Sequence, residues 1–558
     1  MAESNSAEVL TTTSHVDVEK VDAANIDVER NGSASANGNE NGNEKSEDVF
    51  EPSAEDSHPG AKAGLTLKQF WIVMFGLNCG MFLTALDFNI VSPAVNVISS
   101  QFGAYDRSAW LGTGYLISFA LVMPFYGKLG ETFSRRSLFI FSTLLFILGS
   151  GLCGGSHSMN MLIASRVVQG LGGGGVYSLV NVIVTDLVPL KDVGKYLSFT
   201  GLVWAIADVA GPLVGGAFAQ YASWRWCFYI NLCISPISLI ITLLVLRVPA
   251  PTVGLVTAVR NFDYIGALAM TGGTTMVLLG ISWGGVTFPW NSGQVIGTIV
   301  GGGVLVIIFA IIEHFVREPL IPPVFLRNRA VMAILVAEFF YGAVLLGMMY
   351  YVPQFFQLVF GDTATLSGVS LLPLMLGLAV GNPVAGWITS KYGISLANAW
   401  VGAALEVLVT GLMTRWNAHT SRAEAVVELV ICGIGQGAAM EGLLVSVQAS
   451  VTPMLIGVVT SLAIFVQTVG DIFGIAFFAT VYQNELRSKL VSLGLTSSQI
   501  ASVSADAESI RSSFSGTQLE DIISVYAESM QNGWWLMFAC AAVLLISSGF
   551  SRQHSFAK

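Results

Sequence analysis

Apolar stretches of roughly 20 residues recur from Gln69 to near the end of the chain, separated by short polar segments. A helix of that length crosses about 30 Å of hydrocarbon. The pattern therefore predicts an all-α polytopic membrane protein with about fourteen transmembrane helices. The predicted spans lie near residues 70–93, 109–127, 137–155, 160–184, 195–219, 227–247, 263–283, 295–314, 331–354, 366–389, 394–414, 425–448, 456–482 and 533–551.

The composition supports a chain that contacts lipid. Of the 558 residues, 53% are hydrophobic and only 11% are charged, and the mean hydropathy is +0.67. Soluble domains carry about 25% charged residues. Single cores stop growing near about 300 residues, so one large soluble core does not explain this deficit.

The segment 1–62 differs from the rest of the chain. It is rich in Ser, Asn, Gly and Glu, and it holds 14 acidic and 4 basic residues, which account for the whole net charge of −10. Such a segment cannot bury enough apolar surface to offset the entropy lost on ordering, so we expect a disordered acidic tail. The remaining chain is neutral overall and gives no electrostatic footprint for nucleic acid.

Basic residues between the spans predict the orientation. If the tail is cytoplasmic, the inner loops carry most of the positive charge, as the positive-inside rule requires. An even number of spans then places both termini in the cytosol, and a polar loop at 484–532 falls outside. The inner basic residues are Lys128, Arg135, Arg136, Lys191, Lys195, Arg247, Arg260, Arg317, Arg327, Arg329 and Lys391, against Arg107, Arg225, Arg415 and Arg422 outside.

The loop after the second span has a distinctive pattern, with Gly127, Gly130, Arg135 and Arg136 within ten residues. The glycines permit a sharp turn, and the basic pair can hold helix ends through their dipoles or meet inner acids. The alternative is a topology anchor that merely follows the charge rule.

Arg166 and Gln169 lie inside the fourth span. An arginine at that depth costs about 2.5–3.5 kcal/mol or more, so we expect it to face a wet cavity and a partner. The alternative is a side chain that snorkels to the interface. The following glycines, 170–175, match a dinucleotide-binding pattern formally, but no strand precedes them, so they indicate close helix packing instead.

Ala207, Gly211 and Gly215 recur every fourth residue in the fifth span, beside Pro212. This seam of small residues lets another helix pack closely, and the proline predicts a kink. It suits either static packing or two bundles that rock against one another.

Several acidic residues within predicted spans are functional candidates, because ionisable groups are rare in lipid. Desolvation favours the protonated carboxyl, so such groups can bind and release protons near neutral pH. The alternative for each is a structural hydrogen bond or a misplaced span boundary. They are Asp87, Asp208, Glu338, Glu406, Glu441 and Asp471.

The chain offers no pattern for other chemistry. Its six cysteines sit in apolar stretches without metal-ligand spacing, so we assign no disulfide, metal or cofactor. No nucleophile–base pair or Walker motif is present, so we expect neither an enzyme with catalytic residues nor an ATP-driven pump.

Together these segments resemble the major facilitator superfamily, specifically its fourteen-span drug:proton antiporter branch. The resemblance covers the chain from about Gln69 to Arg552. It rests on Leu86-Asp-Phe-Asn-Ile-Val91, the loop 127–136, Arg166-x-x-Gln169-Gly170 and Gly211-Pro212-Leu-Val-Gly215-Gly216. The stretches 224–231, 288–292 and 350–357 look like fungal efflux pumps, a group that includes mycotoxin exporters.

The resemblance implies two six-helix bundles, at 63–250 and 326–558, with two extra helices at 251–325 between them. It implies that spans one, four, nine and twelve line a central cavity. Proton coupling would fall to Asp87, Arg166 and Asp208. The implied cavity residues are Asp87, Arg166, Gln169, Glu338, Gln354, Gln357 and Glu441.

Some positions depart from the expected pattern. Asn89 stands where threonine is usual, and Cys233 where proline usually follows. Asp208 and Asp471 occupy positions where small residues are expected, and Glu441 one where glutamine is expected. The extra carboxyl groups bear on proton stoichiometry and on the charge of the substrate.

The sequence thus predicts proton-coupled efflux of small apolar molecules by alternating access, with small-molecule substrate, protons and the lipid bilayer as partners. The rivals are a siderophore-iron importer of the same superfamily and a nutrient sensor that has lost transport. We expect a monomer in the plasma membrane, with a vacuolar or vesicle membrane as the alternative.

Overall fold

The computed structural model describes residue 60 and residues 64–104, 107, 109–246, 263–285, 288–316, 319–362, 364–495 and 514–551. All of them belong to one compact unit, residues 53–558. The predicted acidic tail at 1–62, apart from Gly60, lies outside the described residues. Within the described ranges fourteen helices are long and apolar enough to cross a membrane, which confirms the predicted fold class.

The fourteen long helices are numbered here in chain order. Shorter helices at Val95–Phe102, Pro323–Arg327 and Ala364–Val369 lie between them. The long helices are α1 Leu67–Asn89, α2 Ala109–Thr132, α3 Arg135–Gly154, α4 Met159–Leu187, α5 Leu190–Tyr221, α6 Trp226–Leu244, α7 Tyr264–Trp283, α8 Gly293–Phe315, α9 Arg329–Phe360, α10 Leu372–Tyr392, α11 Ser395–Met413, α12 Arg422–Ala449, α13 Ile456–Ser492 and α14 Thr517–Gly549.

Polar caps fix several helix starts at the ends of apolar runs. The side chains of Ser158, Ser292 and Ser421 accept hydrogen bonds from backbone N–H groups in the first turns of α4, α8 and α12. These N–H groups have no partner within the helix, so each cap stabilises the helix by about 1 kcal/mol.

The same pattern of glycine contacts appears in both halves of the chain. Gly170 and Gly174 on α4 lie against the backbone of α2, and Gly433 and Gly437 on α12 lie against the backbone of α10. A Cβ atom at any of the four would collide with a main-chain atom of the neighbouring helix. Small residues four apart allow this close approach of helices in lipid. The formal dinucleotide-binding pattern at 170–175 is thus a helix-packing surface.

Helices α1–α6 pack among themselves, as do α9–α14, and we refer to these sets as the first and second bundles. Helices α7 and α8 form a pair that contacts both sets. Leu278 on α7 packs with Ile117 and Leu121 of α2 and with Ile472 of α13. Helices α7 and α8 therefore lie beside the boundary between the two bundles.

Both predicted boundaries of the outer loop at 484–532 are wrong. Helix α13 continues to Ser492, and α14 begins at Thr517, so both ends of the predicted loop are helical. The N-cap residue of α14 is Gly516, which has no side chain to accept a hydrogen bond. Residues 496–513 lie outside the described part of the chain.

Candidate functional site

Asp87 lies at the centre of a buried polar network in the first bundle. Its carboxylate forms an ion pair with Arg166 and accepts hydrogen bonds from Gln169 at 2.9 Å and Asn231 at 3.0 Å. Ser150 accepts bonds from the same two amides at 2.8 Å and 3.2 Å. The network thus joins α1, α3, α4 and α6.

The guanidinium group of Arg166 also has polar and aromatic partners. Its guanidinium donates to the carbonyl oxygen of Leu111 at 3.0 Å and to the side-chain oxygen of Gln169 at 2.9 Å. It also stacks over the ring of Tyr115, 4.1 Å from the centroid. Charge-assisted bonds and the aromatic face offset the cost of removing this cation from water.

Arg166 therefore has an acidic partner, as the sequence predicted, and its access to a wet cavity stays a prediction. Asp87 is 0% exposed and Arg166 1% exposed, and neither lines the cavity between the bundles or the apolar cavity beside α7. Sequence reasoning missed Asn231, although it ends one of the stretches that resemble efflux pumps.

A narrow cavity, which we call the central cavity, lies between the two bundles. Its first-bundle wall includes Tyr177, Asn181 and Trp204, and its second-bundle wall includes Asn382 and Glu441. A second cavity, lined almost wholly by apolar side chains of α2, α4 and α7, lies apart from it.

Among the seven predicted cavity residues, only Glu441 lines the central cavity in this state. Glu441 accepts a hydrogen bond from Thr389 at 3.1 Å and has Asn398 as a further partner. Gln357 instead donates to Ser367 at 2.7 Å near the end of α9, and Gln354 lies one turn before it. Helix α9 is long enough that its last turns lie beyond the cavity.

Three other acids lie on further helices, Asp208 on α5, Glu338 on α9 and Asp471 on α13. A Cβ atom at Gly342 on α9 would lie 3.0 Å from the carboxyl group of Asp471, so Asp471 packs against α9. Asn89 donates a hydrogen bond of 2.9 Å to Asp208. Glu338 on α9 does not line the cavity that Glu441 lines. Asp208 likewise lies outside the Asp87 network.

The loop between α2 and α3 consists of only Phe133 and Ser134, and we call this end of the bundles the 2–3 loop end. Arg135 forms an ion pair with Asp186 at the end of α4, and Arg136 donates to the carbonyl oxygen of Leu243 on α6. The basic pair thus holds helix ends together, as the sequence suggested.

The predicted role of the glycines in this loop is wrong. Gly127 and Gly130 both lie inside α2, so neither makes a turn. A Cβ atom at Gly127 would lie 2.6 Å from the side chain of Ser461 on α13, whereas one at Gly130 would meet only Arg135, at 3.7 Å. Gly127 therefore permits contact between the bundles, and Gly130 does not take part in it.

The bundles touch at further points toward the same end. The hydroxyl groups of Ser178 and Ser461 lie 2.7 Å apart, and Ser390 donates to Asp192 at 3.0 Å. Gly194 on α5 lies beside the carboxyl group of Glu441. These contacts join the two bundles at the 2–3 loop end, and the sequence carried no recognised motif for them.

The seam on α5 packs within its own bundle. A Cβ at Gly215 would collide with the carbonyl oxygen of Ile90, and one at Gly211 would lie 2.9 Å from Asn89. Gly216 has only Pro93 near it, at 3.9 Å, and α5 continues as a helix through Pro212. Of the two alternatives for this seam, these contacts favour static packing within the first bundle, since its neighbour is the end of α1.

Comparison with known proteins gives consistent matches. The profile of the Major Facilitator Superfamily matches residues 77–475. The chain is 34% identical to "Efflux pump dotC" of Dothistroma septosporum, covering 88% of this chain and 86% of that protein. It is 31% identical to "Efflux pump FUS6" of Gibberella moniliformis, covering 89% and 90%.

Solved structures resemble it in fold. The proton:xylose symporter XylE, in a double tryptophan variant, matches with a TM-score of 0.57 at 14% identity, covering 87% of this chain and 97% of XylE. The human organic anion transporter MFSD10 matches with a TM-score of 0.55 at 15% identity, covering 84% and 99%.

Proposed function

Because the chain belongs to the Major Facilitator Superfamily, whose members are transporters, we propose that it exports small apolar molecules in exchange for protons, by alternating access. The observation that carries the proposal is the buried Asp87–Arg166 pair, a titratable group held between four helices of one bundle. Ionisable residues at such depth in membrane helices commonly mark proton pathways.

Asp87 is the proposed proton carrier, and Arg166 is its electrostatic partner. A carboxylate that is separated from its cation binds a proton more readily. Helix movements that pull α1 away from α4 would therefore couple proton uptake to the state of the first bundle. Gln169 and Asn231 hold the carboxylate in place while it is ionised.

The proposed movement is a rocking of the two bundles about the cavity between them. The contacts of Gly127 with Ser461 and of Gly194 with Glu441 support closure at the 2–3 loop end. Opening there requires these small-residue contacts to separate. The driving force is about 1.4 kcal/mol per proton for each pH unit, and about 2.3 kcal/mol per charge for each 100 mV.

The names of the relatives support export as the direction. Proteins named efflux pumps match this chain over 85% or more of its length. We propose that the cargo is a fungal secondary metabolite or a xenobiotic compound, and that the protein lies in the plasma membrane with both termini in the cytosol. Substrate would enter from the cytosol or from the inner leaflet.

The test is transport by purified full-length protein in liposomes that carry an imposed pH gradient. A fluorescent apolar compound should move against its own gradient when the proton gradient runs the opposite way. Collapse of the gradient with a protonophore should stop this movement. Transport in the same direction as protons, or transport that ignores the gradient, would contradict the proposal.

A further inference from the structure

The apolar cavity of α2, α4 and α7, which we call the lateral groove, shares no lining residue with the central cavity. Its volume is about 310 Å³, within the range of ligand pockets. One face of α2, from Trp110 to Phe125, forms its long wall. That wall rises about 22 Å along the helix axis, so the groove is elongated and runs parallel to the helices.

The walls of the lateral groove suit hydrocarbon. The side chains that line it are apolar or carry hydroxyl groups, and none of those that the structure describes is charged. The hydroxyl group of Ser118 donates to the carbonyl oxygen of Gly114 at 2.9 Å, and that of Thr275 to Thr271 at 2.6 Å. Both hydroxyl groups are thus bonded within their own helices. Pockets for polar molecules usually present a few placed polar groups, and apolar cavities do not hold water, so we expect an apolar occupant.

The lateral groove opens sideways, at the depth of the membrane spans. Val167 of α4 lines it and is 38% exposed, so the opening lies beside this residue. On α7 the lining positions 271–279 fall in the middle of the helix. At the end away from the 2–3 loop, Trp110 borders the groove and contacts the ring of Trp283, with centroids 6.1 Å apart. An opening at mid-span faces the acyl chains of the bilayer.

Helix α2 separates the lateral groove from the central cavity. Phe119 lies on a different face of α2 and contacts Tyr177 of the central cavity, with ring centroids 5.7 Å apart. A molecule in the groove is therefore outside the path proposed for the cargo. A lipid chain covers about half of the hydrocarbon core, about 15 Å, so the long wall on α2 can accommodate one along its length.

We propose that the lateral groove binds one acyl chain of a bilayer phospholipid, which enters between α4 and α7 and lies against α2. Without an occupant, the lining side chains lose dispersion contacts on one side. With it, the chain adds contact between α7 and the first bundle, while Leu278 of α7 packs with Ile472 of the second. The lipid thus becomes part of the packing that holds α7 beside both bundles. This site goes beyond the proposed function and requires neither export nor proton coupling.

The test is photolabelling of the unchanged full-length protein in phosphatidylcholine nanodiscs. A small fraction of the lipid carries a diazirine in the middle of one acyl chain, and peptide mass spectrometry locates the label after irradiation. The reference positions are Val300 and Ile307, residues of α8 that are 58% and 61% exposed and lie outside the groove. Labelling of the groove should exceed labelling of these positions about threefold or more, and equal labelling would overturn the proposal.

Two variants fill the lateral groove from opposite walls, Gly114→Leu on α2 and Thr275→Phe on α7. A Cβ atom at Gly114 would have Val167 as its nearest neighbour, at 3.6 Å, which is an ordinary contact. Each variant should lower labelling of the groove about threefold or more and leave labelling of α8 unchanged. The matched control is Leu268→Phe, because Leu268 of α7 is 75% exposed and does not line the groove. Normal groove labelling in both filling variants, or an equal loss in the control, would contradict the site.

Competition distinguishes a lipid from the cargo. The fluorescent apolar compound of the liposome test, added to the unchanged protein, should leave labelling of the lateral groove as it was. Loss of label from the groove alone, with α8 still labelled, would show that the groove takes cargo and would overturn the assignment to lipid. If the groove is labelled but liposomes show no export, the lipid site stands and the proposed transport function fails.

Discussion

At the scale of single residues, the Asp87 network shows how a charge is held in an apolar bundle. Asp87 and Arg166 neutralise each other, and amides from α4 and α6 bind the carboxylate. Removing one partner of a buried ion pair costs about 3–5 kcal/mol, because the other charge is left alone. A single substitution therefore affects both coupling and stability, and the two effects must be separated.

We predict that Asp87→Asn abolishes proton-driven export and retains substrate binding. The amide keeps the volume of the side chain but cannot carry a proton on and off. The measurement is uphill transport in liposomes, together with binding of the same compound. Transport at the normal rate across a range of pH would show that another group is the proton carrier.

The control for stability is the double variant Asp87→Asn/Arg166→Gln, which removes both charges of the pair. It should have a higher thermal unfolding midpoint than Asp87→Asn and should still fail to couple export to protons. If the double variant recovers coupled export, then the defect of the single variant was one of folding.

A second residue-scale prediction concerns Glu441→Gln, which should change substrate preference more than proton coupling. Glu441 lines the central cavity, and its bonds from Thr389 and Asn398 can be accepted by an amide oxygen. The measurement is export of a panel of neutral and cationic compounds. Selective loss of the cations supports a role in recognition, and a uniform decrease across both classes supports a purely structural role.

The sequence was informative about these residues where a charge interrupts an apolar span. Arg166 and Asp87 stand out for that reason, and they are in contact. The rotation of a helix about its axis is not visible in a span that is apolar all round. Sequence reasoning therefore placed Glu338 in the cavity together with Glu441, whereas only Glu441 lines it, and it did not find the role of Ser150 or Asn231.

At the scale of helices, the glycines divide into those that pack helices within a bundle and those that let the bundles meet. Gly215 belongs to the first kind and lies against Ile90 of α1. Gly127 belongs to the second kind and lies against Ser461 of α13. Spacing along the sequence showed that these helices pack closely but not which neighbour each one has. That information comes only from the arrangement of the whole bundle.

Gly215→Ala should lower the thermal unfolding midpoint, whereas Gly216→Ala should leave it nearly unchanged. The new methyl group at 215 would overlap the carbonyl oxygen of Ile90, and overpacking of this kind costs about 1–3 kcal/mol. At 216 the methyl group would lie 3.9 Å from Pro93, which is an ordinary contact. The measurement is thermal unfolding of the two purified variants, and equal midpoints would contradict the assignment.

Gly127→Leu should slow export strongly while the protein still inserts, because the side chain prevents α2 from closing on α13. Gly130→Leu is the matched control on the same helix, since a Cβ there has only Arg135 near it, at 3.7 Å. Export per inserted molecule should fall in the first variant and remain close to normal in the second. Normal export by Gly127→Leu would show that this contact does not form during the cycle.

At the scale of the whole molecule, two bundles share one cavity, and the contacts described between them gather toward the 2–3 loop end. Ser178 and Asp192 of the first bundle bond to Ser461 and Ser390 of the second. Each bond involves a serine hydroxyl group and neither is an ion pair, so opening does not require either of these contacts to separate two opposite charges. The number of spans and their order followed from hydropathy. The contact of the bundles at the 2–3 loop end did not, because it depends on residues that are distant in the sequence.

A crosslink between the bundles tests whether this closure is a step in transport. The hydroxyl oxygens of Ser178 and Ser461 lie 2.7 Å apart, so the two side chains point at each other and are suitable positions for an engineered disulfide. The double variant Ser178→Cys/Ser461→Cys should export normally when reduced, stop when oxidised, and recover when reduced again. Each single variant, treated with the same oxidant, accounts for reactions of the native cysteines and should keep its activity. Full export by the crosslinked protein would show that the bundles need not separate at this end, and alternating access through the 2–3 loop end would then be wrong for this protein.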